Sequence, residues 1–359
     1  MPLGKPVRPS TPNTLGFDIV RCDTPSRALS LTAILVIVGD VASGTKSLQC
    51  LAAQTIAADM ELILASDTPQ TLTDAEPALS AFGAVQLVVG DVTRLPHLRG
   101  VCGTHARAPI VAFNEDHAFV APDWAATVVR LFAGDRRVVA AGVCMSNPNP
   151  QHPVSRAQFA AFFARYAPEA WAAGEHEVDT LPWHNTVYRA EALQTVTHAL
   201  GTDLGRELEV EGTLQAHLRV VMPDCRFLLS THSLIQHVNV SRLAPAVGHA
   251  VIGGRLFAAD RAAQHRWSRW RRVVQAGGSP LAPFVRLWRD RQVLSAGARG
   301  PADAVNLWSH ACLMAAGHAL GEMIGLLAGC DVTHVQRYAD YESRRARFVQ
   351  ARDRALLHA

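Results

Sequence analysis

Leu31 to Val38 is an unbroken apolar run rich in β-branched residues and closed by Gly39-Asp40, the pattern of a strand buried on both faces. Ser47 to Ala58 then repeats apolar residues at helical spacing, with Leu48, Leu51, Ala52 and Thr55 on one side. A second short apolar strand, Glu61 to Ala65, ends at Ser66-Asp67. A helix over Ala75 to Phe82, a strand over Val85 to Val89 and a strand over Ile110 to Phe113 continue the alternation, the last running into Asn114-Glu115-Asp116-His117. Strand and helix in alternation predict an α/β fold with a mostly parallel central sheet and flanking helices. Ligands of such sheets bind beyond the carboxyl ends of the strands, where Asp67 and the Glu115-Asp116 pair fall.

From Pro122 to about Val247 the pattern mixes helices (Trp124 to Phe132, Arg156 to Tyr166, Thr213 to Val220) with short strands. Beyond Gly253-Gly254 it changes to arginine-rich helices with tryptophan, then to an apolar stretch from Ala311 to Gly329. Residues 1–27, rich in Pro, Ser and Thr near the start, read as a disordered leader, 28–247 as an α/β domain and 248–359 as a basic helical region whose end, from Tyr338, is a solvated charged helix. In the apolar stretch Gly317, Gly321, Gly325 and Gly329 recur every four residues, a smooth helical stripe for close helix contact. The stretch is just long enough to cross a bilayer, but His318 and Glu322 lie mid-span, which favours a surface-bound, re-entrant or packed helix.

Composition changes this picture in two places. With 359 residues, 49% hydrophobic and 18% charged, the chain is globular and long enough for about two domains. Its net charge of +3 is too small to imply a nucleic-acid binder, yet ten arginines stand against two aspartates between Arg255 and Arg299. Interleaved with Phe257, Trp267 and Trp270, these arginines have the composition of a helix lying on an anionic membrane surface, or of one packed on its own domain. Seven scattered cysteines without a Cys-x-x-Cys pair indicate a reducing compartment, and the start of the chain lacks the apolar core of a signal peptide. The expectation is a cytoplasmic protein, peripheral on the inner face of the membrane.

Three groups of residues carry candidate chemistry. Carboxylates at the strand ends, Asp40 beside Gly39 and Asp67 beside Ser66, can accept hydrogen bonds from a nucleobase or ribose, or simply cap the next turn. Glu115, Asp116 and His117 follow a buried strand directly and can hold a divalent cation, or form a surface turn. Glu209 and Glu211 precede a helix beginning near Thr213, where a carboxylate serves as a general base or favours the helix dipole.

The order of these pieces from Ser30 to Ser241 resembles family 2 glycosyltransferases of the GT-A fold. Thr32 to Asp40 is similar to that family's opening strand and nucleotide loop, and Ser47-Leu48-x-x-Leu51-x-x-Gln54-Thr55 to its Ser-Leu-x-x-Gln-Thr helix. Asp67 matches the second Asp of its uridine-binding pair, the first being Ser66 here. Phe113-Asn114-Glu115-Asp116-His117 followed by Pro122-Asp123-Trp124 is similar to the Asp-x-Asp metal motif and its Pro-x-Trp, in the Glu-Asp-His form of a membrane-associated subgroup. Leu181-Pro182-Trp183-His184-Asn185-Thr186-Val187-Tyr188-Arg189 resembles the segment near the acceptor, Glu211-Gly212 the base before its helix, and His237 the late histidine near the diphosphate.

The resemblance implies an inverting transfer from a nucleotide sugar, a UDP-sugar foremost, to a hydroxyl of a glycan, a lipid-linked or another acceptor. It implies Gly39, Asp40, Asp67, Trp183, His184 and Asn185 as donor and acceptor contacts. Glu115, Asp116, His117 and His237 would hold Mn²⁺ or Mg²⁺, and Glu211 or Glu209 would be the base. The altered motifs leave one alternative, a chain that binds nucleotide sugars or a partner without transferring.

Overall fold

The computed structural model describes residues 16–39, 41–182, 185–210 and 212–358. Among them one ten-stranded sheet forms the centre: β1 (Phe17–Cys22), β2 (Leu31–Ile37), β3 (Met60–Ser66), β4 (Ala84–Gly90), β5 (Ile110–Asn114), β6 (Ala118–Val120), β7 (Val138–Ser146), β8 (Glu175–Glu177), β9 (Val187–Arg189) and β10 (Arg226–His237). The order is β1-β4-β3-β2-β5-β9-β7-β10-β6, with β8 on the side of β10. Strands β4, β3, β2 and β5 are parallel, as are β7 and β10, while the short β9 runs antiparallel to both β5 and β7. Two reversals cancel, so β2, β3, β5, β7 and β10 all point the same way and their carboxyl ends share one edge. The α/β class, the mostly parallel core, the flanking helices and the C-terminal helical region are as the pattern predicts.

Every residue of β2 and β3 is buried, so the polar ones need partners inside the sheet. Glu61 takes Thr32 Oγ1 (2.6 Å), Gln86 Nε2 (2.7 Å) and both the backbone N–H (2.9 Å) and Nε (2.6 Å) of Arg107. That network ties β2, β3, β4 and the approach to β5 together at the edge away from the carboxyl ends, and fixes their register.

Several boundaries differ from expectation. Phe17–Cys22, expected within the leader, pairs antiparallel with β4 and turns Phe17 and Ile19 onto the core. The first helix covers only Thr45–Ala52. Gln54 intervenes, donating to the carbonyls of Cys50 (2.9 Å) and Ala121 (2.8 Å) and accepting from the Ala125 N–H (2.8 Å). No break occurs at Val247, since the helix Leu243–Gln264 runs straight through it. The expected solvated tail is a helix, Val332–Ser343, with Tyr338, Ala339 and Glu342 buried, followed by a turn and a short helix in which Arg345 and Asp353 are buried.

The expected glycine stripe lies inside the helix Pro301–Ala328, which packs along Leu243–Gln264. A Cβ on Gly321 would overlap the Val251 carbonyl, one on Gly325 the Arg255 carbonyl, and one on Gly254 of the facing helix the His318 carbonyl. Gly329 instead ends the helix with φ of +73°. By length and composition Pro301–Ala328 is able to cross a membrane, yet half of its most apolar window is buried in the fold. Its mid-helix Glu322 is paired with Arg286 (3.0 Å) and His318 (3.7 Å). Burial pushes the Glu322 carboxyl up, but the His318 hydrogen bond and the Arg286 charge outweigh it and hold it low, while burial holds His318 below its usual value.

Candidate functional site

At the shared carboxyl edge lie Gly39, Asp67, Glu115, Asp116, His117 and His237. β2 ends at Gly39, whose φ of +78° bends the chain back, and its N–H donates to Asp67 Oδ1 (3.0 Å) at the end of β3. The Thr71 hydroxyl donates to the Gly39 carbonyl, so the two strand-end loops are locked together and leave Asp67 exposed. Asp40, Trp183, His184 and Glu211 lie outside the described residues.

β5 runs into Glu115, Asp116 and His117, each almost fully buried. The turn is held by the Ser47 hydroxyl, which donates to the carbonyls of Glu115 (2.9 Å) and Ala118 (3.1 Å). β10 brings His237 alongside, its ring 4.8 Å from that of His117. Glu115 Oε2 stands 3.3 Å from His237 Nε2 and 3.7 Å from His117 Nε2. One ligand atom from each lies within 4.8 Å of the others, and the three could hold a metal ion. Two imidazoles and one carboxylate suit a borderline transition ion better than Mg²⁺, which prefers oxygen alone.

Two expected residues take supporting positions. Asp116 is turned away from the ligand atoms and meets His117 Nδ1 at 2.8 Å. With Nδ1 donating to this carboxylate, the Nε2 lone pair faces the other ligands, the arrangement in which an outer carboxylate orients a ligating histidine. Burial, and next the Glu115 charge, push the Asp116 carboxyl well above its usual value. Burial, and next Arg345, push His117 well below its own, so it stays neutral and able to ligate. Asn185, expected as an acceptor contact, is buried beneath Glu115: its Nδ2 donates to Glu115 Oε2 (2.7 Å) and its backbone N–H to the Phe113 carbonyl (2.8 Å). Its φ of +69°, unusual for a residue other than glycine, turns the side chain to this task. Glu209 precedes the helix Thr213–Val221, and loss of water around its carboxyl raises it above the usual range.

Sequence reasoning missed the other wall of the site. Arg345 Nη2 donates to His117 Nε2 (2.9 Å) and to Glu342 Oε2 (2.9 Å), and Glu342 Oε1 meets His249 Nε2 at 3.0 Å. Burial pushes the Glu342 carboxyl up, but the Arg345 charge and the His249 hydrogen bond hold it far below the carboxylate range. The signal was present as Arg344-Arg345-x-Arg347, read as part of a solvated helix. Between this segment and the β2 loop lies a cavity of about 320 Å³, lined by Gly39, Ser43, Asp116, Arg344, Arg345 and His358.

A second, larger cavity of about 800 Å³ opens between the body and the C-terminal helices, lined by Phe162, Arg165, Arg261, Arg286, Arg289 and Glu322 among others. Phe163, next to Phe162, lays its ring 4.4 Å from that of His237. The helices Arg269–Gly278 and Ala282–Ala296 give Val274 and Val285 to its lining and also expose apolar side chains: Trp270 is 75% exposed, Phe284 70% and Trp288 69%.

No protein-family model and no curated protein matches the chain. Among solved structures, a mannosyltransferase from Pyrobaculum calidifontis in complex with GDP-Man and Mn²⁺ is 17% identical, with a TM-score of 0.49 over 84% of this chain and 88% of that one. TarS from S. aureus in complex with UDP is 15% identical, with a TM-score of 0.42 over 64% and 65%. GalNAc-T7 with UDP, GalNAc and Mn²⁺ is 12% identical, with a TM-score of 0.42 over 59% and 44%. With every one of these scores below 0.5, the functional reading rests on the residues themselves.

Proposed function

We propose that the chain is a GT-A-type glycosyltransferase that moves a sugar from a nucleotide-sugar donor, a UDP-sugar foremost, to an acceptor hydroxyl with inversion. The observation that carries this is the convergence on one sheet edge of an exposed carboxylate beside a glycine turn (Asp67, Gly39) and a buried Glu-His-His group. Carboxylates can bind nucleoside N–H and O–H groups, whereas a leaving diphosphate needs positive charge beside it, which a cation at the second group would supply. In this reading Asp67 and the Gly39-Asp40 loop hold the nucleoside. Charge developing on the diphosphate would be neutralised by a divalent cation on Glu115, His117 and His237, or by the Arg345 guanidinium that shares His117 Nε2. Glu211, or Glu209 before it, accepts the proton of the acceptor hydroxyl as its oxygen bonds the anomeric carbon and the bond to the diphosphate breaks. One displacement of this kind inverts the anomeric centre.

Thermal unfolding with UDP, GDP, CDP and TDP, each with and without Mn²⁺ or Mg²⁺, tests the donor assignment. A nucleotide that binds only the folded chain stabilises it by about 2.7 kcal/mol at a hundredfold excess over Kd. The expected outcome is a rise with one base. No rise with any of the four, from a folded sample, would leave a chain of this architecture that does not bind nucleotide sugars.

The acceptor reading follows from the larger cavity. Its Arg165, Arg261, Arg286 and Arg289 outnumber Glu322, and its lining includes the exposed Val274, Leu281 and Val285. That combination suits an amphiphile with an anionic head, a lipid-linked acceptor drawn from the cytoplasmic face of a membrane. The protein is expected to sediment with phosphatidylserine vesicles at low salt and less so at high salt, where the attraction is screened. Replacing Trp270 and Trp288 together with Ser should weaken that partition by about tenfold or more, since each ring removes on the order of 100 Å² from water. A protein that stays in the supernatant at low salt would limit these helices to a structural part.

A further inference from the structure

We propose that Arg345 is the resident counter-charge of the site: it occupies the cation position at His117 and binds the donor's diphosphate without a metal ion. The identity of the anion rests on the nucleotide-sugar reading; the presence of an anion site does not. A divalent ion on the Glu-His-His group needs the lone pair of His117 Nε2, and Arg345 Nη2 holds that atom at 2.9 Å. The guanidinium and an ion are therefore alternatives at this ligand.

The remaining donors of Arg345 point to an anion. The residue is 3% exposed, and its Nε and Nη1 are buried without a hydrogen-bond partner. Buried, unpaired N–H groups on a charged side chain are costly, and the cost is removed when an acceptor arrives. Arg345 lines the 320 Å³ cavity together with Arg344 and Arg347, while the facing wall is the Gly39 loop that the nucleoside reading already uses. A diphosphate bridging from that loop would lie among Arg344, whose Nη1 also donates to Asp340 (2.6 Å), Arg345 and Arg347, and a planar fork suits phosphate oxygens in pairs. Glu342 balances Arg345 in the free protein and, through His249, ties it to the helix Leu243–Gln264. The metal motif's histidine thus becomes the seat of an arginine carried by a distant part of the chain.

Calorimetric titration of the full-length protein with inorganic pyrophosphate in EDTA tests this. The expected result is saturable binding without metal, at least tenfold weaker in R345Q, with Mn²⁺ binding to the anion-free protein stronger in R345Q than in the wild type. Pyrophosphate binding only when Mn²⁺ is present, equal binding in R345Q, or no binding at all would overturn the proposal. Should R345Q fail to fold, amide exchange of the wild type decides: pyrophosphate in EDTA should slow exchange over residues 39–43 and 343–347 together, and unchanged exchange there overturns it. The two readings fail separately. Nucleotide binding that needs Mn²⁺ and ignores R345Q keeps the transferase and removes this role of Arg345; pyrophosphate binding through Arg345 with no nucleotide bound does the reverse.

Discussion

Gly321→Val should destabilise the protein by about 3 kcal/mol or more, read as a fall in the midpoint of denaturant unfolding. At Gly321 the atoms in the way of a side chain are the Val251 carbonyl and the Arg255 N–H, which belong to the backbone of the facing helix and have no rotamer to escape into. The helices Leu243–Gln264 and Pro301–Ala328 would have to move apart along their length, and with them the ion pairs of Glu322. Gly317→Ala is the control. There the nearest atom is a Val247 side-chain methyl at 3.2 Å, with the Val247 carbonyl at 3.3 Å, so a shift of a few tenths of an ångström suffices. Ala also gains about 1 kcal/mol over Gly in a helix interior, so the net change should be small. Equal losses from the two substitutions would mean that helix propensity, and not close approach, governs the stripe.

Glu211→Gln should lower transfer by about 10²–10⁴-fold while leaving nucleotide binding unchanged, the range associated with a lost general base. Gln keeps the size and much of the hydrogen bonding of Glu but cannot accept the proton. The flanking residues give the position its setting: Val210 is buried, and Gly212 takes φ of +88° as the residue before the helix Thr213–Val221. Glu209→Gln separates the two candidates, because whichever substitution removes turnover without weakening donor binding marks the base. Loss of donor binding with either would assign that carboxylate to holding the nucleotide, and full turnover in both would remove this segment from the chemistry.

What the sequence made legible depended on how locally each feature is encoded. The runs Leu31 to Val38 and Glu61 to Ala65 predicted strands that the structure has within a residue or two, because a strand buried on both faces has to be apolar throughout. Glu115 and His117 were named from a strand end and His237 from the family resemblance, and the parallel order of β5, β7 and β10 brings them together. Asp116 and Asn185 were also named, but their parts depend on rotamers and on one left-handed backbone turn that no spacing encodes. Phe17–Cys22 was hidden by a leader-like neighbourhood, since six alternating residues at a sheet edge leave a weak pattern. Arg345 was missed for a different reason. Its partner His117 is 228 residues away in sequence, and a charged run near a chain end looks the same whether it is solvated or folded against a site.

The unbroken helix Leu243–Gln264 makes the molecule a ruler. At about 1.5 Å per residue its 22 residues span about 33 Å, beginning a few residues beyond His237 and ending beside the exposed aromatic face. A linker at the expected boundary would let the catalytic edge swing to any height above a surface on which that face rests. A continuous helix, braced along its length by Pro301–Ala328, sets one height and one tilt. On the proposed membrane-surface reading, acceptor length would then be a selected quantity: a hydroxyl carried too close to its anchor, or too far from it, would miss the site whatever its chemistry.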